Sequence, residues 1–116
     1  MAREAADLPR VSTLSGWSTG LQPWLRPYAE YLLQRFAGSD VQVTSVYRSY
    51  SAQLKLWLTR SSNPYPVAPP GQSYHEYRRA FDVVGPTEVL DQMGALWERM
   101  GGTWGGRIGD RIHFQA

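Results

Sequence analysis

Residues 71–85, GQSYHEYRRAFDVVG, set a histidine and an aspartate seven positions apart, His75 and Asp82, and run into a β-prone segment. RAFDVV, residues 79–84, has the branched and aromatic content of a strand, and Gly85 with Pro86 closes it. The segment before is of another kind. Residues 61–72, SSNPYPVAPPGQ, read as loop, because prolines lack a backbone donor and push their predecessors toward extended conformations. A long ordered loop in a small protein often borders a site.

Working outward, VQVTSVYR at 41–48 is β-branched and roughly alternating, a second strand. Ser49 or Ser51 then caps a short helix, SAQLKLWLTR, expected to bury Leu54, Leu58 and Trp57. Upstream, Leu21, Trp24, Leu25, Tyr28, Leu32 and Phe36 follow the helical period, with Pro27 marking where the regular part begins and Gly38 a stop. Residues 1–19 are weakly patterned and are expected to form an irregular arm. Downstream, Pro86 or Thr87 starts a helix whose apolar face is Val89, Leu90, Met93, Leu96, Trp97 and Met100, ended by Gly101 and Gly102. The remaining TWGGRIGDRIHFQA predicts two short strands around a glycine-rich turn. The order helix, strand, helix, loop, strand, helix, strand, strand predicts an α+β domain: a small antiparallel sheet with helices mainly on one side and a site in a cleft on the sheet. Trp24, Trp57 and Trp97 read as core, Trp104 and Tyr74 as walls of a groove, and Glu76 as a solvated charge.

With 116 residues the chain can close one modest core, so residues 1–116 are expected to be a single domain. No cysteine is present, which excludes disulfides, thiolate nucleophiles and zinc ribbons, and leaves histidine and carboxylates to hold any metal. No window has the length and apolarity of a signal peptide or a membrane span, so a cytoplasmic, soluble protein with no membrane partner is expected. The net charge is +2, and eleven of the twelve basic residues are arginines dispersed along the chain. With no phosphate-binding glycine motif, that pattern gives no support to a nucleic-acid or nucleotide partner. A monomer is expected.

The chain has two histidines only, and each has a nearby carboxylate: Asp82 follows His75, and Asp110 precedes His113 by three residues. A catalytic zinc site takes three protein ligands and keeps one position open, and His75, Asp82 and His113 would supply it. A bend between Asp110 and His113 would leave the Asp110 carboxylate free to act as general base and then acid. Spacing alone leaves open the other reading, in which both histidines are satisfied core or surface groups and both aspartates serve turns or caps.

Three ordered blocks resemble the zinc peptidases of bacterial wall peptides, the VanY-like D-alanyl-D-alanine carboxypeptidases and the phage L-alanyl-D-glutamate endopeptidases. Ser73, His75, Ala80 and Asp82 lie on the family's Ser-x-His-x-x-Gly-x-Ala-x-Asp; Asp110 and His113 on its closing acidic-x-x-His; Ser45, Arg48, Ser49 and Gln53 on an earlier block. The lead-in VAPPG, residues 67–71, is similar too. The resemblance implies that His75, Asp82 and His113 bind Zn2+, that Asp110 is the catalytic acid/base, and that Arg48 anchors substrate with Gln53 and Ser73 in support. Its implied substrate is the peptidoglycan stem peptide, cut at L-alanyl-D-glutamate in the manner of an endolysin; the alternatives are D-alanyl-D-alanine carboxypeptidase action, or a zinc-containing wall-binding module without activity. Without a leader, such an enzyme would stay cytoplasmic until released or carried in a phage particle. The sequence departs from the pattern at Arg78, where the family has glycine, and at Ile112, where many relatives have an aromatic residue.

Overall fold

The computed structural model describes residues 16–116. The arm expected over residues 1–19 therefore falls largely outside the described residues, and its end is a 3-10 turn, Trp17–Gly20, whose Trp17 ring packs on Phe81 at 5.6 Å.

The elements are α1 (Arg26–Arg35), β1 (Gln42–Ser45), α2 (Tyr50–Leu58), β2 (Ala80–Val84), α3 (Thr87–Arg99), β3 (Thr103–Trp104) and β4 (His113–Gln115), in the order read from the sequence. Four strands make one antiparallel sheet of order β1-β2-β4-β3, an α+β architecture as expected. Helix α1 starts at Arg26, next to Pro27 as expected, because proline suits a first turn and not an interior. Ser49 Oγ caps α2 by accepting from the Ala52 N–H at 3.2 Å.

Leu25, Leu32 and Leu33 of the first helical region, Leu90, Met93 and Trp97 of α3, and Val43, Phe81, Val83 and Phe114 of the sheet form the core. Trp97 meets Phe81 edge-on at 5.3 Å, and Phe81 stacks on Phe114 at 5.4 Å. Side chains alternate along a strand, so burying Phe81, Val83 and Phe114 puts Asp82 and its cross-strand partner His113 on the opposite face. In β1 the register shifts between Val43 and Ser45, so that Ser45 stands across from Asp82.

Several apolar residues take other places than periodicity suggested. Trp24 is 53% exposed and Leu58 70%, Leu54 is exposed, and the buried residue of α2 is Gln53. Trp57 is half-buried and carries Arg60 over its ring at 3.8 Å. Trp104 is core, not groove: its indole lies between Gly94 and Gly106, where an added Cβ would stand 2.1 and 2.2 Å from ring atoms. Its Nε1–H donates to the Arg111 carbonyl at 2.9 Å. Among the described residues no helix is long and apolar enough to cross a membrane.

Candidate active site

The proline-rich loop delivers His75 through a 3-10 turn, Tyr74–Tyr77, closed at its start by a capping box. Ser73 Oγ accepts from the His75 N–H at 3.2 Å, while the Glu76 carboxylate accepts from the N–H groups of Ser73 at 3.1 Å and Gly71 at 2.9 Å. Glu76 is thus a structural clamp on the loop, not the solvated charge expected. Arg78 ends the turn at φ 61°, ψ 37°, so a left-handed conformation that glycine adopts most freely is made here by arginine. That conformation costs a side-chain-bearing residue about 1–2 kcal/mol. Arg78 offsets part of it by laying its guanidinium over the Tyr47 ring at 4.0 Å. The chain then enters β2 and presents Asp82.

Each histidine has one nitrogen committed to the protein. His75, 2% exposed, holds Nδ1 at 2.7 Å from the Val46 carbonyl, and His113 holds Nε2 at 2.7 Å from the Gln115 side-chain oxygen. Since a carbonyl only accepts, both of these nitrogens carry hydrogen, and the opposite nitrogens carry lone pairs. Those lone pairs, His75 Nε2 and His113 Nδ1, both face Asp82 Oδ1 at 3.2 Å. Three acceptors on one point repel unless a cation or a proton lies among them. Two ligands about 2.0–2.1 Å from a tetrahedral ion stand roughly 3.3 Å apart, so the separations suit zinc. His75, Asp82 and His113 could therefore hold a metal ion, all three donor atoms lying within 4.8 Å of one another.

Without metal, a proton takes the same position. Burial works against a charged His113, but hydrogen bonds to Asp82 and Gln115 and the charges of Asp82 and Asp110 outweigh it and raise its pKa above 6.5. Burial likewise opposes a charged Asp82, and the hydrogen bonds from His113 and His75 overcome it, holding its pKa well below 3.8. A raised His113 pKa stabilises the fold fully below about pH 6.5, and that stability is lost as pH rises through the folded value. The depressed Asp82 pKa stabilises above about pH 3.8, and that is lost on acidification. Metal competes with the His113 proton and favours high pH. Melting temperature is therefore expected to fall from pH 6.5 to 8.5 in chelated protein and to rise over the same range with excess zinc; parallel slopes would refute a shared metal and proton position.

Asp110 reaches the same cleft through a turn closed by Gly109 at φ 85°. The Asp110 N–H donates to the Gly105 carbonyl at 2.9 Å, and the His113 N–H to the Asp110 carbonyl at 3.1 Å. Among the described groups Asp110 Oδ1 stands out as buried with no hydrogen-bond partner. Burial, reinforced by the charge of Asp82 and opposed by those of His113 and His75, raises its pKa. The turn fits only over glycine: a Cβ on Gly105 would lie 2.5 Å from the Asp110 carbonyl oxygen and 3.0 Å from His113 Cβ. Gly105→Ala is expected to destabilise by about 1–3 kcal/mol in chemical denaturation, the range for overpacking, and to lower metal affinity by moving His113.

No protein-family model matches the chain, and no curated protein matches it in sequence. Solved structures do. The L-Ala D-Glu endopeptidase ChiX of Serratia marcescens superposes with a TM-score of 0.65 at 21% identity, over 91% of this chain and 90% of that one. The chain has the fold of that peptidase. The vancomycin-resistance D,D-dipeptidase VanXYg, solved with a D-Ala-D-Ala phosphinate analogue, also gives a TM-score of 0.65, at 17% identity over 82% of this chain and 49% of that one. The chain thus spans about half the length of the dipeptidase.

Arg48, Gln53, Ser73, His75, Asp82, Asp110 and His113 all line one cleft of about 390 Å³. Arg48 is fixed on its wall: one terminal N–H group donates to Gln53 Oε1 at 2.9 Å, the other to Ser45 Oγ at 2.8 Å, and the second lies 3.7 Å from Asp82 Oδ2. Gln53 is buried and ties Arg48 to the loop by donating to the Ala68 carbonyl at 2.8 Å. Sequence reasoning misassigned Glu76 and passed over Gln115 and the Val46 carbonyl. Ser73-x-x-Glu76 is a capping-box spacing and could have revealed the first; Gln115, two residues past His113 on a strand, shares its face and could have revealed the second.

Proposed function

We propose that the protein hydrolyses an amide bond in bacterial peptidoglycan stem peptides with a zinc ion held by His75 Nε2, Asp82 Oδ1 and His113 Nδ1. The observation that carries this reading is the convergence of three lone pairs beside an unpartnered, buried carboxylate oxygen in one cleft. Bound zinc supplies Lewis-acid polarisation of the scissile carbonyl and makes water at the site more acidic.

The chain's own residues do the rest. Asp110 Oδ1 accepts the proton of the attacking water and returns it to the departing amine nitrogen; its raised pKa makes it a stronger base than an ordinary aspartate. The Val46 carbonyl and Gln115 keep both histidine lone pairs aimed at the ion's position. Arg48, preset by Ser45 and Gln53, receives a substrate carboxylate bidentately. Fold similarity to an L-Ala D-Glu endopeptidase over nearly the whole of both chains supports the L-alanyl-D-glutamate bond as the one cut, and a wall-lytic, endolysin-type role with it.

Two soluble peptides test the reading: a stem peptide beginning L-alanyl-D-glutamate, and one ending D-alanyl-D-alanine, each with zinc-loaded and chelated protein. Zinc-dependent release of alanine from the N-terminal side is expected; release of terminal D-alanine instead would identify a carboxypeptidase, and neither product would reject the peptidase. Arg48→Ala is expected to lower kcat/KM by roughly tenfold to a hundredfold, the loss of one charge-assisted pair. An unchanged value would remove Arg48 from substrate binding.

A further inference from the structure

Trp24 and Tyr28, which the helical period placed on an apolar face, are at the surface. Each is about half exposed, and Tyr74, which lines the cleft, is 38% exposed. Arg79 joins the two groups, its guanidinium carbon 5.2 Å from the Tyr74 ring centroid and 5.8 Å from that of Trp24. It is anchored there by an N–H from Nε to the Ala116 carbonyl at 2.6 Å. Beyond Trp24 the surface dips into a groove of about 280 Å³ lined by Trp24, Leu25, Tyr28 and Met100. The strip therefore leads from the cleft over Tyr74, Arg79 and Trp24 to Tyr28. Large exposed rings in one contiguous strip mark an interaction surface.

We propose that this strip binds the glycan strand that carries the stem peptide, an inference that rests on the wall-peptide reading. A pyranose ring presents a face of C–H groups whose partial positive charge suits the negative face of an aromatic ring, and its hydroxyl and acetamido oxygens accept from the remaining N–H groups of Arg79. Continuity decides the occupant. The alanine of an L-alanyl-D-glutamate bond is attached to the sugar through a lactyl group, so when that bond is in the cleft the glycan is one residue away and must lie along the rim. A second copy of the chain is disfavoured, because seated on Tyr74 it would cover the cleft that substrate has to enter.

The test titrates the protein with peptide-free glycan strands, prepared by stripping stem peptides from purified peptidoglycan with an amidase, using two-dimensional NMR. Saturable shifts on the strip are expected, weakened at least about tenfold by Trp24→Ala and by Tyr28→Ala, with both variants checked for native folding by circular dichroism. Trp24→Ala is also expected to raise KM on intact wall about tenfold while leaving kcat on a sugar-free stem peptide unchanged. No saturable binding, equal binding by both variants, or a concentration-dependent dimer abolished by Trp24→Ala would overturn the proposal. If glycan binding depends on Trp24 but no peptide is cut, the strip stands and the peptidase reading falls; if free peptide is cut and glycan does not bind, the strip alone falls.

Discussion

Asp110→Asn is expected to lower wall-peptide hydrolysis by about 10²–10⁴, the contribution of a positioned acid/base group, while bound zinc stays stoichiometric. The separation of the two readouts follows from geometry. Asp110 Oδ1 makes no hydrogen bond to the protein, whereas the donor atoms of His75, Asp82 and His113 converge without it. Asparagine keeps the size of the side chain, so the turn between Gly105 and His113 stays closed through its backbone bonds. Burial and Asp82 raise the Asp110 pKa and bring the group closer to the working pH than an exposed aspartate would be. Loss of zinc together with activity would instead make Asp110 a metal ligand. The measurement is kcat on a soluble stem peptide beside metal analysis of the same sample.

Asp82→Ala should have the largest effect on the metal. Both histidine lone pairs face its Oδ1, and Arg48 lies 3.7 Å from its Oδ2, so one substitution removes the common partner of three groups. Removing one member of a buried charge pair costs about 3–5 kcal/mol; with Arg48 partly solvated the lower end is expected in chelated protein. Zinc affinity is expected to fall by at least about a hundredfold, since two neutral imidazoles remain without their anion. Titration of zinc against a competing chelator and urea unfolding of the metal-free variant read the two effects. Undiminished zinc affinity would place the ion elsewhere.

How far the sequence could be read depended on whether a signal was local. The order of elements was legible because strand composition, proline, and glycine stops act over a few residues. The group that could hold a metal was legible for a different reason: with two histidines and no cysteine, few sets were possible. Periodicity shows that one face of a helix is apolar, not that something covers it. Helix α2 illustrates this, since its Leu58 is at the surface while its buried Gln53 braces Arg48. Trp104 was misplaced because its burial depends on Gly94 and Gly106, each distant or inconspicuous in sequence, leaving room for an indole. The tautomers of His75 and His113 depend on Val46 and Gln115 as partners, and the Val46 contact spans 29 residues. Arg78 shows a local rule overridden: the left-handed turn survives without glycine because Tyr47 receives the side chain.

The most direct test is digestion of purified peptidoglycan by zinc-loaded protein, with chelated protein and Asp110→Asn alongside and the released peptides read by mass spectrometry. New termini at L-alanyl-D-glutamate, absent from both controls, are predicted. Stoichiometric zinc with no bond cut in walls of several chemotypes would contradict the account and leave a metal-stapled wall-binding module in its place.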